Sequence, residues 1–415
     1  MKHPILLILT LAAIAGLLSC SKENSGEPDL TPKSLDITAT GTEVIAYSNE
    51  FGVKLFTEVA FEENNNLLLS PLSASTALTM LLNGCGGDTY EQLQETLKYP
   101  ENMTMSEINK VYKSLVDQLL VVDPKVKLAL ANAIFYRQGF SVKTPYLDIM
   151  TTDFDAEIAD LDFSLPSALT TINKWASDNT NGKIPKVLNK ISDDAVMFLM
   201  NALYFKGDWS FQFDKSLTSD RPFYTDNTNS FDVTTMKGDI GSKVISGNNY
   251  RAIELPYGCT NFTMVVILPD GTLPEFILSF TAETWNTITS VLDAQEEFGE
   301  LTVFMPKYKF SYEKFLNDQL QSMGMLDAFI PGLANLSGIA DAAIYVDFVK
   351  QNTFVEVDEK GTEAAAVTTV AVNELTSSLP QPREFVIDKP FVFAIRERTT
   401  NTLLFIGQVT NPLNQ

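Results

Sequence analysis

Residues 42–63 read TEVIAYSNEFGVKLFTEVAFEE, with Val44, Ile45, Phe51, Val53, Leu55, Phe56 and Val59 spaced among polar neighbours. That spacing predicts a loosely amphipathic helix. Residues 67–84, LLLSPLSASTALTMLLNG, open on an apolar run that predicts a short strand, turn at Ser70-Pro71, and continue as a helix ending at Gly84. Because this helix is apolar on every side, it should be buried. Aliphatic or alternating runs at 262–268, 301–305, 354–357 and 391–395 predict strands. Helical patterns crowd the first half of the chain and strand patterns the second. No repeat and no long internal linker interrupts them, which predicts one large α+β domain and not alternating βαβ units. The glycine cluster GCGGDT at 84–89 has no preceding strand and no Gly-Lys-Ser/Thr ending. It therefore reads as a helix stop and turn, not a phosphate loop.

Composition narrows the chemistry. At 415 residues with 45% hydrophobic positions and 27 Phe, the chain has ample material for a large core. A formal net charge of −22, with no run of like charge, argues against nucleic-acid partners and against activation by a polyanion. The single histidine, His3, lies in a segment expected to be removed. Ser-His-Asp and Cys-His nucleophile systems are thereby excluded, as is His-ligated zinc. No metal-ligand spacing or nucleotide fingerprint is present, so no metal or cofactor is expected. Ser-Lys chemistry and carboxylate-based hydrolysis stay open, the latter since 52 Asp and Glu must include neighbours that only a structure can pair.

The first twenty residues, MKHPILLILTLAAIAGLLSC, place a basic start before an apolar run at 5–18 that is too short to span a bilayer comfortably. The ending Leu17-Leu18-Ser19-Cys20 resembles a bacterial lipobox, in which the cysteine is lipidated and becomes the mature N-terminus. The alternative is an ordinary secretory signal. With Ser21 following, the resemblance implies an outer-membrane lipoprotein of a Gram-negative bacterium, on the periplasmic or the cell-surface side. The expected organisation is a signal peptide over 1–19, a flexible lipid-anchored tether over 20–41, and one domain over 42–415. Cys85 and Cys259 read as small buried apolar residues; export would permit a disulfide between them.

One stretch behaves unlike ordinary structure. Residues 359–379, EKGTEAAAVTTVAVNELTSSL, contain neither Pro nor Gly from 362 to 372, and Glu363 is the only charge there. Read with period two, Thr362, Ala364, Ala366, Thr368 and Val370 share one face, and Glu363, Ala365, Val367, Thr369 and Ala371 the other. Both faces carry small side chains able to slide into a sheet, yet NELTSSLPQP (373–382) reads as exposed loop. The segment suits two conformations, loop and central strand. Local pattern alone also allows a fixed strand or a helix.

The segment EVDEKGTEAAAVTTV (356–370) closely resembles the reactive-loop hinge of inhibitory serpins. The resemblance runs over roughly residues 42–412, through NLLLSPLSASTALTMLLNG (66–84), LANAIFYRQGF (130–140), INKWASDNTNGKIPKVL (172–188), NALYFKGDW (201–209), VFMPKYKF (303–310), ANLSGI (334–339) and FVIDKPFVFAIRERTTNTLLFIGQVTNP (385–412). It implies the serpin fold, three β-sheets with eight to nine helices and an exposed reactive-centre loop at about 360–384. It also implies a suicide inhibitor: a target protease forms an acyl-enzyme on the loop, which then inserts into the central sheet and drags the protease away. Residues 361–375 would span roughly 50 Å as a strand, enough for such insertion.

By the same resemblance, Glu359, Gly361, Thr362, Glu363, Ala364, Ala365 and Ala366 form the hinge. Lys307 and Glu359 form a breach ion pair beside Trp209. Ser70, Ser73 and Asn201 match the shutter cluster, with Gln351 where many relatives carry histidine. Counting along the hinge puts the reactive bond between Leu375 and Thr376, suiting chymotrypsin-like or elastase-like serine proteases, with papain-like cysteine proteases possible targets. The loop is about four residues longer than in animal relatives, so Val372, Thr376 or Leu379 can also serve, whereas Arg383 lies too far along to trap a trypsin-like enzyme. The competing readings are a non-inhibitory serpin acting as a surface binding or carrier protein, and a carboxylate hydrolase. A monomer is expected, bound to the membrane through its N-terminal lipid.

Overall fold

The structure is a computed structural model and describes residues 31–225, 229–362 and 384–414. Its helices are α1 (Ala39–Glu62), α2 (Pro71–Leu82), α3 (Gly87–Thr96), α4 (Met105–Leu119), α5 (Thr144–Phe154), α6 (Pro166–Asn179), α7 (Leu273–Ser279), α8 (Ala282–Asp293) and α9 (Asn317–Ser322). The first eight strands are β1 (Leu67–Leu69), β2 (Val126–Arg137), β3 (Glu157–Leu161), β4 (Met197–Asp208), β5 (Ser219–Tyr224), β6 (Ser230–Ser246), β7 (Tyr250–Tyr257) and β8 (Phe262–Pro269). The rest are β9 (Gly299–Pro306), β10 (Tyr308–Phe315), β11 (Lys350–Val357), β12 (Gly361–Thr362), β13 (Glu384–Val386), β14 (Phe391–Glu397) and β15 (Thr402–Val409).

A six-stranded sheet runs β10-β11-β12-β4-β2-β3. The other strands form a continuous ribbon that divides along β6, whose first part pairs β5 and β9 while Lys243–Ser246 pair β7. This is the expected three-sheet α+β architecture. Strands β8, β14 and β15 are buried at every position and are mostly apolar, with Arg396 and Glu397 buried at the end of β14. Helix α2 is buried on all sides, as its composition requires, and lies in one core with α1 and these strands. A second, smaller core joins α6 to β2 and β4 through Ile172, Trp175, Phe135 and Phe198. It fixes α6 on the outer face of the six-stranded sheet.

Four expectations change. The helix predicted from residue 42 begins at Ala39, capped by Thr38. Ahead of it, residues assigned to the tether lie on the body: Lys33 N–H donates to Asn261 Oδ1 at 2.9 Å and Asp36 N–H to Gln118 Oε1 at 2.6 Å. A segment without periodicity is held by side-chain amides that satisfy its backbone. The helix ending predicted at Gly84 comes at Leu82, and Gly87 of the same cluster already opens α3. Cys85 and Cys259 are each unpaired and half-buried, not fully buried, and burial pushes the Cys85 thiol up to about 12. Among the described residues no helix is long and apolar enough to cross a membrane.

Candidate functional site

The six-stranded sheet has a gap. Strand β11 pairs β10 on one side and β4 pairs β2 on the other, but between β11 and β4 only Gly361 and Thr362 intervene among the described residues. Gly361 lies opposite Asp208, and Thr362 opposite both Gly207 and Val357. Below them a cavity of about 20 Å³ is lined by Phe205, Val355 and Thr362 among others. Further down, one of about 60 Å³ is lined by Ser70, Ser73, Asn201, Gln351 and Thr353, with Trp175 of α6 beside it. Beyond Thr362 no described residue supplies a ladder between these two strands.

The local sequence sets the mouth of this gap. After Val357 the chain reverses because the Asp358 carboxylate accepts from the Lys360 N–H at 2.9 Å and the Gly361 N–H at 3.3 Å. Position 361 must be glycine: a Cβ there would lie 2.1 Å from the Gly207 carbonyl oxygen and 2.7 Å from Asp208 Cα. The turn is then clamped from its sides. Trp209 donates its backbone N–H to Lys360 O at 2.7 Å and its indole N–H to Asp358 O at 2.9 Å, and Phe213 N–H reaches Glu359 O at 3.0 Å. Lys307 Nζ meets the Glu359 carboxylate at 2.8 Å, and Thr218 donates to its other oxygen at 2.9 Å. Burial opposes the Glu359 charge, but the Lys307 and Thr218 hydrogen bonds outweigh it and hold the carboxyl below its ordinary value. The structure therefore brings Trp209, Lys307 and Glu359 into one cluster.

Two members of that cluster carried no legible signal. Tyr257, the last residue of β7, stacks on Trp209 with ring centroids 4.3 Å apart and places its hydroxyl 2.6 Å from Thr362 Oγ1. Thr218 sits in a polar connection with nothing to distinguish it from any surface threonine. Tyr257, within an apolar strand, reads as core.

The lower cavity shows a split in the residues grouped as a shutter. Gln351 donates to Ser70 O at 2.8 Å and accepts from Ser70 N–H at 3.1 Å. Ser70 Oγ caps α2 by accepting from the Ser73 N–H, and donates to Leu404 O at 2.9 Å. Asn201 is not joined to them. It donates to Asn132 Oδ1 at 2.6 Å across the β2–β4 pair, and its own Oδ1 is buried without a partner among the described residues.

Of the expected hinge, Glu359, Gly361 and Thr362 are placed as above. Glu363, Ala364, Ala365 and Ala366 lie outside the described residues. So do the reactive-bond candidates Leu375, Thr376, Val372 and Leu379, together with Arg383 and Cys20. The chain re-enters description at β13, which pairs parallel to β9 in the neighbouring sheet. No group of three or more His, Cys, Asp or Glu suited to a metal occurs among the described residues.

Comparison with known proteins matches residues 46–412 to the family described as Serpin (serine protease inhibitor). An uncharacterized serpin-like protein of Methanosarcina acetivorans is 33% identical over 98% of this chain and 96% of its own length. The leukocyte elastase inhibitor of Xenopus laevis is 32% identical over 84% of this chain and 95% of its own length. Among solved structures, the thermophilic serpin Tengpin in its native state superposes with a TM-score of 0.81 at 29% identity, covering 92% of this chain and 97% of that one.

Proposed function

The chain belongs to the serpin family, and on that premise we propose that it is an inhibitory member that traps extracellular endopeptidases by inserting its cut reactive loop between β11 and β4. The observation that carries this reading is the gap between β11 and β4, which among the described residues holds only Gly361 and Thr362. The hinge runs antiparallel to both flanking strands, so its continuation has a direction and a register. Thr362 lies opposite Gly207 and Val357; six residues on, Thr368 would stand opposite Asn201 and Gln351. Position 364 would face Phe205 and Val355, and position 366 would face Leu203 and Thr353. The alanines at these positions suit such neighbours, and a hydroxyl at 368 would meet Asn201 Oδ1, which has no partner among the described residues.

In the proposed sequence the serine hydroxyl of the target protease attacks the carbonyl of residue 375. The peptide bond to Thr376 breaks, and its nitrogen leaves protonated by the protease's own acid. The acyl bond then joins protease to loop, and each ladder hydrogen bond formed as the strand enters contributes about 0.5–1.5 kcal/mol. This chain supplies no catalytic group; it supplies the slot. We extend the proposal to chymotrypsin-like or elastase-like targets through Leu375, with Val372 and Leu379 as alternative bonds. The N-terminal sequence supports anchoring through Cys20 in the outer membrane of a Gram-negative bacterium.

Incubation with a panel of chymotrypsin-like, elastase-like, trypsin-like and papain-like enzymes tests this reading. A complex that survives boiling in detergent, with a released peptide beginning at Thr376, is expected. A peptide beginning elsewhere moves the bond and keeps the mechanism. Cleavage throughout the panel without a complex or lasting inhibition removes the inhibitory reading in favour of a non-inhibitory binding or carrier protein.

A further inference from the structure

We propose that the buried hydroxyl of Tyr257 is a receptor for the hinge: it selects a hydroxyl-bearing residue at position 362 and holds that residue in the sheet before the loop is cut. The observations begin with the ring. Tyr257 is fully buried, stacked on Trp209 at an interplanar angle of 11° and met edge-on by Phe205 at 5.1 Å. Its backbone is fixed as firmly. The next residues form a tight turn in which Gly258 N–H donates to Asp208 O at 2.9 Å, Cys259 N–H to the Asp123 carboxylate at 2.7 Å, and Thr260 N–H back to Tyr257 O at 2.7 Å. Asp208 is itself the residue opposite Gly361. The phenol is therefore aimed by two flanking rings and by a turn tied to the strand the hinge docks on.

Its hydroxyl makes one hydrogen bond among the described residues, to Thr362 Oγ1 at 2.6 Å, and Thr362 is 4% exposed. Burial holds the phenol well above its ordinary value, so the hydroxyl stays protonated at any physiological pH and can donate or accept. Each hydroxyl is thus the other's means of satisfaction, and removing either strands its partner in a dry site. A rule of size alone admits Ala, Ser, Thr or Val at 362. The geometry asks for more, a side-chain oxygen at the floor of an aromatic pocket. In this role Tyr257 is a positioning residue: it sets how the hinge rests before cleavage and touches no reacting atom.

The inference deepens the proposed function and draws its consequence from it, but docking can be measured without any protease. Hydrogen exchange followed by mass spectrometry on the purified full chain reads the amides of Asp358, Gly361 and Thr362, referenced to the buried strands β8 and β14. Thr362→Ala and Tyr257→Phe are expected to speed hinge exchange on the order of tenfold over that reference. Thr362→Ser should stay within about twofold of the unaltered protein, because it keeps the oxygen. The Tyr257→Phe/Thr362→Ala pair should exchange no faster than either single variant, since neither hydroxyl is left stranded. Equal rates for Ser and Ala at 362, or effects that multiply in the double variant, would overturn the proposal. Loss of protease trapping with this pattern intact would instead refute the inhibitory reading and leave the receptor standing.

Discussion

Replacing Gln351 probes the lower end of the gap. Its amide bridges β11 to the start of α2 by two bonds to one residue, to Ser70 O and from Ser70 N–H. The two losses differ. Ser70 O also accepts from Ala74 N–H at 3.0 Å, so it keeps a partner without Gln351, whereas no other acceptor is seen for the Ser70 N–H among the described residues. Stranding one buried donor costs about 1–3 kcal/mol. The adjoining cavity of about 60 Å³ decides where in that range a variant falls. A water needs roughly 10–15 Å³ of such space. In Gln351→Ala the enlarged cavity admits water to the Ser70 N–H, which brings the hydrogen-bond cost toward the lower end. In Gln351→Leu the side chain fills the same space with carbon and shuts water out, driving the cost to the upper end. At about 2.1 cal/mol/K of unfolding entropy per residue, a domain of this size has roughly 0.8 kcal/mol/K, so the range corresponds to a fall in Tm of about 1–4 °C. Calorimetry at matched scan rates should rank the unaltered protein first, Ala second and Leu third. The reverse order of the two variants would mean that lost packing, not the stranded donor, controls this position.

Other perturbations have equally definite outcomes. Glu359 titrates below its ordinary value of 4.5, so the stability it contributes is present above that pH and is lost as pH falls through the depressed value. Glu359→Gln should therefore remove part of the acid sensitivity below about pH 4.5, seen in urea midpoints measured across pH. Arg396 and Glu254 are both fully buried and 2.7 Å apart, so Arg396→Met leaves an uncompensated carboxylate and should cost about 3–5 kcal/mol, measurable by chemical unfolding. In thiol titration Cys259 should react first and Cys85 only on unfolding, given a thiol pushed up to about 12, while reductant should leave Tm unchanged.

Much of this arrangement was legible in the residues themselves. The all-apolar character of α2, the turn at Ser70-Pro71 and the buried aliphatic strands follow from composition and period. The period-two reading puts Thr362 on one face of the hinge, and the structure buries it against Tyr257. What escaped was whatever depends on contacts between distant segments. Strands β2 and β4 lie in the half of the chain that looked helical, since ALANAIFY is apolar without a clear period and only its antiparallel partner makes it a strand. Family resemblance grouped Asn201 with Ser70, and both line one cavity, but the Asn201 amide donates to Asn132. Residues 31–38 looked like tether because their partners, Asn261 and Gln118, are far away in sequence.

The central claim is that the gap between β11 and β4 receives the cut loop as a strand. Calorimetry of the intact protein and of protein nicked once within 363–383 tests it most directly. A new strand of a dozen or so residues, gaining on the order of 1 kcal/mol per ladder bond, should raise Tm by roughly 10 °C or more. A nicked protein that melts at or below the temperature of the intact chain would mean that the loop stays out and that the gap does not serve the proposed function.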